Sequence, residues 1–123
     1  MKKPTYTIYM LVDPRNHKPF YIGQTQYPYL RYKEHRNPSD DDKSDRAKRI
    51  REIRKSRKSP LFVELECTTR KVSALMREMY WIETFKRSGM KLKNQENQRW
   101  LLTQYDDLIA QARTHQKKRS TGK

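Results

Sequence analysis

The stretches YTIYMLV, residues 6–12, and FYIG, residues 20–23, decide the fold of the first third of the chain. Both are rich in β-branched and aromatic residues, and both alternate with a period of two, as strands do. The polar segment between them contains two prolines, so the pattern predicts a β-hairpin with an irregular loop. In this register Tyr9 and Tyr21 share one face and Phe20 lies on the other, whereas a slip of one residue separates the tyrosines.

A helix is predicted directly after the hairpin. Gly23 ends the second strand, and Pro28 is well placed as the first residue of a helix that runs to about Arg36. On that helix Arg31 and His35 are four residues apart and share a face. Since a helix that enters from the strand end aims these side chains back across the tyrosines, the sequence predicts a cluster of two phenols, a guanidinium and an imidazole.

A basic second helix is predicted from about Asp42 to Ser56, with Ser39 or an aspartate as its N-cap. Its narrow apolar stripe consists of Ala47, Ile50 and Ile53. The rest of its surface carries an excess of positive charge, for which phosphate contact is the favoured interpretation over a merely solvated face. The residues of this helix that we expect to contact nucleic acid are Arg46, Arg49, Arg54 and Lys55. At the end of the second strand, Gly23 and Gln24 are expected to contact it as well.

A third strand is predicted over residues 61–67, LFVELEC. Its alternation places the apolar residues on one face, and we expect Cys67 to pack there as a small core residue. The two glutamates of the strand are expected on the open face as surface charges. Thr68 or Thr69 is then expected to cap the last helix of the domain.

That last helix, from about Arg70 to Ser88, contains a carboxylate on its apolar side. Gly89 is expected to end the helix in the left-handed conformation. Glu78 lies inside the apolar arc, and a lone buried carboxylate costs several kcal/mol unless it is paired or holds a cation. The pattern leaves open a buried salt bridge, for example to Arg31, or a divalent metal. The apolar arc consists of Ala74, Leu75, Met79, Ile82 and Phe85.

These residues resemble the GIY-YIG nuclease family over roughly residues 5–95. Residues 7–9, TIY, are similar to the first motif with threonine in place of glycine, and residues 21–23, YIG, match the second motif. The arginine and histidine of the following helix stand at the family's spacing, and residues 78–82, EMYWI, resemble its acidic helix. The residues that match the family's pattern are Tyr9, Tyr21, Arg31, His35, Glu78 and Asn94.

The sequence predicts a mixed α/β domain of the α+β type, with a three-stranded antiparallel sheet flanked by helices. We expect this nuclease-like domain over residues 1–95. An additional C-terminal helix is expected over residues 96–116, where it packs on the domain or extends it. A basic disordered tail is expected over residues 117–123.

The resemblance implies a metal-dependent DNA endonuclease, with Glu78 as the protein ligand of Mg²⁺, for which Mn²⁺ is expected to substitute. A single carboxylate suffices because Mg²⁺ keeps several waters and also binds substrate phosphate. The divalent metal is therefore favoured over the salt bridge at Glu78.

A motif tyrosine is implied as the general base, although the reference pKa of tyrosine is about 10. We assign this role to Tyr9, with His35 accepting its proton and Tyr21 orienting the water or the phosphate. The opposite assignment of the two tyrosines is left open. Arg31 is expected to bind the phosphate and to favour the phenolate, and Asn94 to bind phosphate or hold the geometry of the site.

The composition points to the same class of partner. The chain has 29 lysines and arginines against 14 aspartates and glutamates, a net charge of +15. Such an excess favours a nucleic-acid partner over a merely soluble basic or ribosome-associated protein. Cys67 is the only cysteine, which excludes an intrachain disulfide and a cysteine-based zinc site.

No signal peptide or membrane span is indicated by the sequence, and we expect a cytoplasmic protein of bacterial or phage origin with no membrane partner. A monomer and a homodimer are both compatible with the sequence. Two competing hypotheses are a noncatalytic nucleic-acid binder that retains the nuclease scaffold and a basic assembly protein. The response of DNA cleavage to loss of Glu78 separates the nuclease from both.

Overall fold

The computed structural model describes residues 4–94 and Ala110. The predicted C-terminal helix and tail, residues 96–116 and 117–123, lie outside the described residues apart from Ala110. The described elements are, in chain order, β1 Tyr6–Asp13, β2 Lys18–Thr25, α1 Pro28–Arg36, α2 Asp45–Lys55, β3 Leu61–Thr68 and α3 Lys71–Arg87. The sheet is antiparallel throughout, with the strand order β2-β1-β3. The predicted three-stranded antiparallel sheet flanked by helices is confirmed.

The central strand β1 is buried on both faces because a different helix covers each one. On one face Ile8 packs with Ile22 of β2 and with the apolar side of α3. On the other face Tyr9 and Leu11 pack with Ile50 and Ile53 of α2. Burial on both faces accounts for the nearly continuous apolar and aromatic character of this strand. None of the helices in the described part of the chain is both long and apolar enough to cross a bilayer.

The pairing of β1 with β2 confirms that the two motif tyrosines share a face. Leu11 lies opposite Tyr21, and Tyr9 lies opposite Gly23. The prediction for Phe20 was wrong, because the register shifts between Leu11 and Val12 and leaves Phe20 without a partner in the ladder. This irregularity turns the Phe20 ring to the α2 side, where it packs with the tyrosines.

A second irregularity in β3 changes the faces of its last residues. Ile8 pairs with Glu66 and Tyr9 pairs with Glu64, so Leu65 is the extra residue. Glu66 consequently faces α3, where it accepts a hydrogen bond from the Trp81 indole at 2.7 Å and is only partly exposed. The prediction that Cys67 packs in the core was wrong, because the shift places this residue on the other face, where it is exposed.

The helix caps differ from the sequence expectations. Ser44, not Ser39 or an aspartate, caps α2, since its Oγ accepts a hydrogen bond from the Ala47 amide at 3.1 Å. Helix α2 starts later than predicted because Asp42 accepts from the Ser44 amide and closes a turn there. Helix α3 has no side-chain N-cap, so the expected threonine cap is wrong. Gly89 ends α3 with φ +85°, as predicted.

Helix α2 is anchored to the sheet by a buried carboxylate. Asp13 has no exposed surface and accepts from Arg15 Nη2 at 2.8 Å and from Arg49 Nε at 2.8 Å. Burial raises the pKa of Asp13, but the hydrogen bonds from Arg15 and Arg49 outweigh burial and hold that pKa well below its usual range. Arg49, which the sequence assigned to nucleic acid, is thus part of the internal packing.

Gly23 is required because the phenol of Tyr9 occupies the space of a side chain there. A Cβ on Gly23 would lie 2.5 Å from Tyr9 Oη and 2.9 Å from Tyr21 Cε2. We expect Gly23→Ala to lower the free energy of unfolding by about 1–3 kcal/mol, measured by urea denaturation. Tyr9→Phe removes the nearest atom, so the double variant is expected to lose less stability than the sum of the single changes. If the losses in free energy of unfolding of the two single variants add up to that of the double variant, the explanation for Gly23 is contradicted.

Candidate active site

The predicted phenol and imidazole cluster forms on the α2 side of the sheet. Tyr9 Oη lies 2.6 Å from His35 Nε2, and the two residues are 0% and 1% exposed. The ring of Tyr21 lies 5.5 Å from that of His35 and 6.3 Å from that of Tyr9, measured between centroids. The three side chains therefore form one compact group around the buried hydroxyl of Tyr9.

Helix α1 is held in the orientation that directs His35 at the sheet. Tyr32 Oη donates to the carbonyl of Pro60, just before β3, at 3.0 Å. Phe62 of β3 stacks on the Tyr9 ring with centroids 4.4 Å apart and contacts Tyr32 edge-on. Since Pro28 opens α1 without a side-chain cap, these contacts from the third strand position the helix.

Arg46 of α2 enters the cluster, although the sequence assigned it to the nucleic-acid surface. Its Nη1 lies 2.7 Å from His35 Nδ1, and its Nη2 donates to Asp42 at 2.9 Å. The guanidinium also lies 5.4 Å from the centroid of the Tyr21 ring. One signal in the sequence could have indicated this. Asp42 and Arg46 are four residues apart at the start of the predicted second helix, a spacing that allows an ion pair to hold the arginine.

Arg31 lies at the edge of the cluster with an unused donor. Its Nη1 forms a partly exposed ion pair with Glu34 at 3.1 Å. Its Nε is buried and has no hydrogen-bond partner in the described part of the chain. Arg31 also lines a cleft of about 260 Å³, together with Gln24, Thr25, Tyr27, Leu30 and Glu34. A buried donor without an acceptor is costly, and the guanidinium of Arg31 at this cleft is a candidate partner for an anion.

Glu78 is buried as predicted, with 6% of its surface exposed. Within residues 4–94 it forms no ion pair, so the alternative of a salt bridge to Arg31 is not realised. Burial raises its pKa to about 8, and the charge of Arg31 acts in the opposite direction. Burial is the main cause of the raised pKa of Tyr9 and Tyr21, and the charge of Glu78 raises both further.

The donor set at Glu78 fits a hard divalent cation that keeps most of its water. Among the described residues there is no group of three or more histidine, cysteine, aspartate or glutamate side chains that could hold a metal. With Glu78 as its ligand, a cation here would keep several bound waters, which is a common arrangement for Mg²⁺. Its charge would favour ionisation of Glu78, whose pKa burial raises to about 8 and which has no ion pair with a described residue.

Asn94 is brought to the edge strand β2 and not to the phenols. Its Oδ1 accepts from the Ile22 amide at 3.0 Å, and its Nδ2 donates to the Ile22 carbonyl at 2.7 Å. The side-chain amide thereby substitutes for a neighbouring strand beside the second motif. Of the two roles considered from the sequence, these contacts favour holding the geometry of the site over binding phosphate.

The remaining predicted nucleic-acid residues lie in different places. Gly23 is buried beneath Tyr9, whereas Gln24 lines the cleft of Arg31. Arg54 and Lys55 line a second, open cleft of about 440 Å³ between the end of α1 and α2. The other basic residues of this cleft are Arg36 and Arg51.

The raised pKa of Glu78 predicts a dependence of stability on pH in metal-free buffer. Ionisation of this carboxyl is harder in the folded chain, so its stabilising contribution is complete below its ordinary pKa of 4.5 and is lost as pH rises through about 8. Glu78→Gln is therefore expected to gain stability relative to the parent between pH 5 and 8, by at most about 1.4 kcal/mol per pH unit.

Urea denaturation across this pH range, with chelator present, measures the difference between the two proteins. Glu52→Gln is the matched control because Glu52 is on the exposed side of α2. A difference between parent and Glu78→Gln that stays constant with pH contradicts the assigned pKa.

Comparison with known proteins agrees with this geometry. A family model described as the GIY-YIG catalytic domain matches residues 5–94, which is most of the chain. No curated protein and no solved structure gives a significant match. The family consists of nucleases that generally depend on a divalent metal, and its substrates are nucleic acids. The chain therefore belongs to the GIY-YIG family of endonucleases, which hydrolyse phosphodiester bonds.

Proposed function

We propose that this protein is a DNA endonuclease that uses Mg²⁺ held by Glu78, with Mn²⁺ able to substitute. The observation that carries this proposal is the buried carboxyl of Glu78, which lacks an ion pair with any described residue and whose charge raises the pKa of both phenols. DNA is the favoured substrate because the net charge of +15 matches a long polyanion.

Arg31 is proposed to bind the phosphate that is cleaved. Its buried Nε lacks an acceptor among the described residues, and a phosphate oxygen in the adjoining cleft would supply one. A bound divalent cation supplies further positive charge to the phosphoryl oxygens and to the leaving oxygen. Gln24 lines the same cleft and is proposed to contact the strand beside that phosphate.

Tyr21 is proposed as the residue that contacts the attacking water and takes its proton. Tyr9 has no exposed surface and its oxygen is already bonded to His35, whereas Tyr21 is partly exposed. Burial raises the pKa of Tyr21, but the charges of Arg46 and Arg31 oppose that effect. This favours the second of the two tyrosine assignments that the sequence left open, with Tyr9 as an orienting residue behind Tyr21.

The reaction then follows the usual course of phosphodiester hydrolysis. Tyr21 first loses its own proton to solvent, and the phenolate then accepts a proton from the attacking water as the water oxygen bonds to phosphorus. The bond from phosphorus to the leaving oxygen breaks, and solvent water protonates that oxygen. Arg31 neutralises charge on the non-bridging oxygens as it develops. Asn94 maintains the position of Ile22, the middle residue of the second motif, through its two backbone hydrogen bonds.

Glu78→Gln is expected to lower DNA cleavage by about 100-fold or more while DNA binding is retained, since an amide cannot supply the negative ligand for the cation. The measurement is cleavage of supercoiled, linear and branched DNA with Mg²⁺, with Mn²⁺ and with excess chelator. Glu52→Gln again serves as the control for loss of one carboxylate. Cleavage that persists in chelator, or at the parental rate in Glu78→Gln, contradicts the proposed function.

The cleft of Arg54 and Lys55 is proposed to bind the DNA backbone away from the cleaved phosphate. Changing both to alanine is expected to weaken DNA binding and to lower the slope of log affinity against log salt by about 2. The turnover of bound DNA is expected to stay unchanged. The matched control removes two exposed charges elsewhere, at Lys86 and Lys91. Equal effects in both double variants contradict a specific role for the cleft.

A further inference from the structure

His35 lies between two partners, one at each ring nitrogen. Arg46 Nη1 is 2.7 Å from Nδ1, and Tyr9 Oη is 2.6 Å from Nε2. A guanidinium has five N–H donors and no acceptor, and it stays protonated in proteins. Arg46 is therefore the donor in its contact, and His35 Nδ1 accepts and carries no proton.

The charge of His35 then determines what happens at its other nitrogen. Burial, assisted by the charges of Arg46 and Arg31, lowers the pKa of His35 to about 3, and the ring is neutral at ordinary pH. A neutral imidazole without a proton on Nδ1 carries its proton on Nε2. His35 Nε2 consequently donates to Tyr9 Oη, the reverse of the proton acceptance expected from the sequence.

We propose that Arg46 is a positioning residue of the nuclease site, which fixes the tautomer of His35 so that His35 donates a hydrogen bond to Tyr9 Oη. One acceptor position of the Tyr9 oxygen is thereby occupied, and the Tyr9 O–H is left to donate away from His35. The catalytic consequence rests on the proposed function, whereas the tautomer itself does not.

Arg46 is itself held in place, which suits this role better than contact with phosphate. Asp42 accepts from its Nη2 at 2.9 Å and in turn accepts from the Ser44 amide at 3.0 Å. Arg46 also lies over the Tyr21 ring and is only partly exposed. The contacts of one guanidinium thus join the turn before α2 to His35 and to the face of Tyr21.

The titratable and charged groups that surround His35 come from every element packed on it. Tyr9 is on β1, Tyr21 on β2, Arg31 on the same helix as His35, and Arg46 on α2. Asp42, in the turn before α2, is the one group among these whose charge raises the pKa of His35. Its effect is outweighed by burial and by the two arginines.

The direct test is ¹⁵N NMR of the full chain labelled at histidine, without DNA and without metal. The chain has three histidines, and the signals of His35 are identified by their absence in His35→Gln. We expect Nδ1 of His35 to show the chemical shift of an unprotonated ring nitrogen, and Nε2 to show that of a protonated one. In Arg46→Met we expect this pattern to change to a mixture of tautomers or to the Nδ1-protonated form.

Lys48→Met is the matched control, because Lys48 is an exposed cation on the same helix. It removes one charge and is expected to leave the His35 spectrum unchanged. Arg46→Lys keeps a donor and a charge and is expected to restore part of the parental pattern. Circular dichroism and urea denaturation confirm that each variant is folded.

Kinetics separate positioning from phosphate binding. For a positioning residue we expect Arg46→Met to lower kcat by about tenfold, as loss of outer-shell partners commonly does, with KM and the salt dependence of binding nearly unchanged. For a phosphate contact, KM rises and the salt slope falls by about 1 while the His35 spectrum stays parental. The second result overturns the proposal.

The proposal is also overturned if the parent chain shows His35 protonated on Nδ1, or if Arg46→Met leaves both the spectrum and kcat unchanged. Failure of the proposed function is distinguishable from these outcomes. If the parent cuts no DNA under any metal condition, the nuclease proposal fails, and the spectra of the parent and Arg46→Met still decide whether Arg46 fixes the tautomer.

Discussion

A phenol hydroxyl that has no access to water must find its hydrogen-bond partners inside the protein, and the site depends on this constraint at Tyr9. The central strand β1 is covered on both faces, so the Tyr9 hydroxyl is fully buried. His35 supplies one of these partners, which requires α1 to dock with its last turn against the sheet. The absence of a side chain at Gly23 provides the space in which the rings of Tyr9 and Tyr21 lie close together.

Polar groups that are buried or half-buried in this domain fall into two kinds. Asp13 and the Asn94 amide are satisfied by specific partners, Arg15 and Arg49 for the first and the Ile22 backbone for the second. These groups stabilise the packing of α2 and of the segment after α3. Their hydrogen bonds offset the cost of burying them, as expected for groups with a structural role.

Glu78 and Arg31 are of the other kind. The Glu78 carboxylate is buried without an ion pair to the described residues, and the Arg31 Nε is buried without an acceptor there. A cation and a phosphate are ligands of the charge and hydrogen-bonding capacity that these groups lack. Both groups therefore carry a cost of burial in the folded chain, which the cation and the phosphate of the proposed function would relieve.

Sequence patterns by themselves determined the order of the strands and helices and the shared face of Tyr9 and Tyr21. They also determined that Arg31 and His35 lie on one helix and that Glu78 is buried. Each of these follows from a strand period of 2 or a helix period of 3.6. Only the tertiary structure decided what periodicity does not encode. The two irregularities in the ladder moved Phe20 and Cys67 to unexpected faces, since an extra residue in one strand reverses the alternation. The docking of α2 decided that Arg46 meets His35 and Arg49 meets Asp13, because a helical pattern shows which residues are exposed on an isolated helix but not which neighbouring element will cover them.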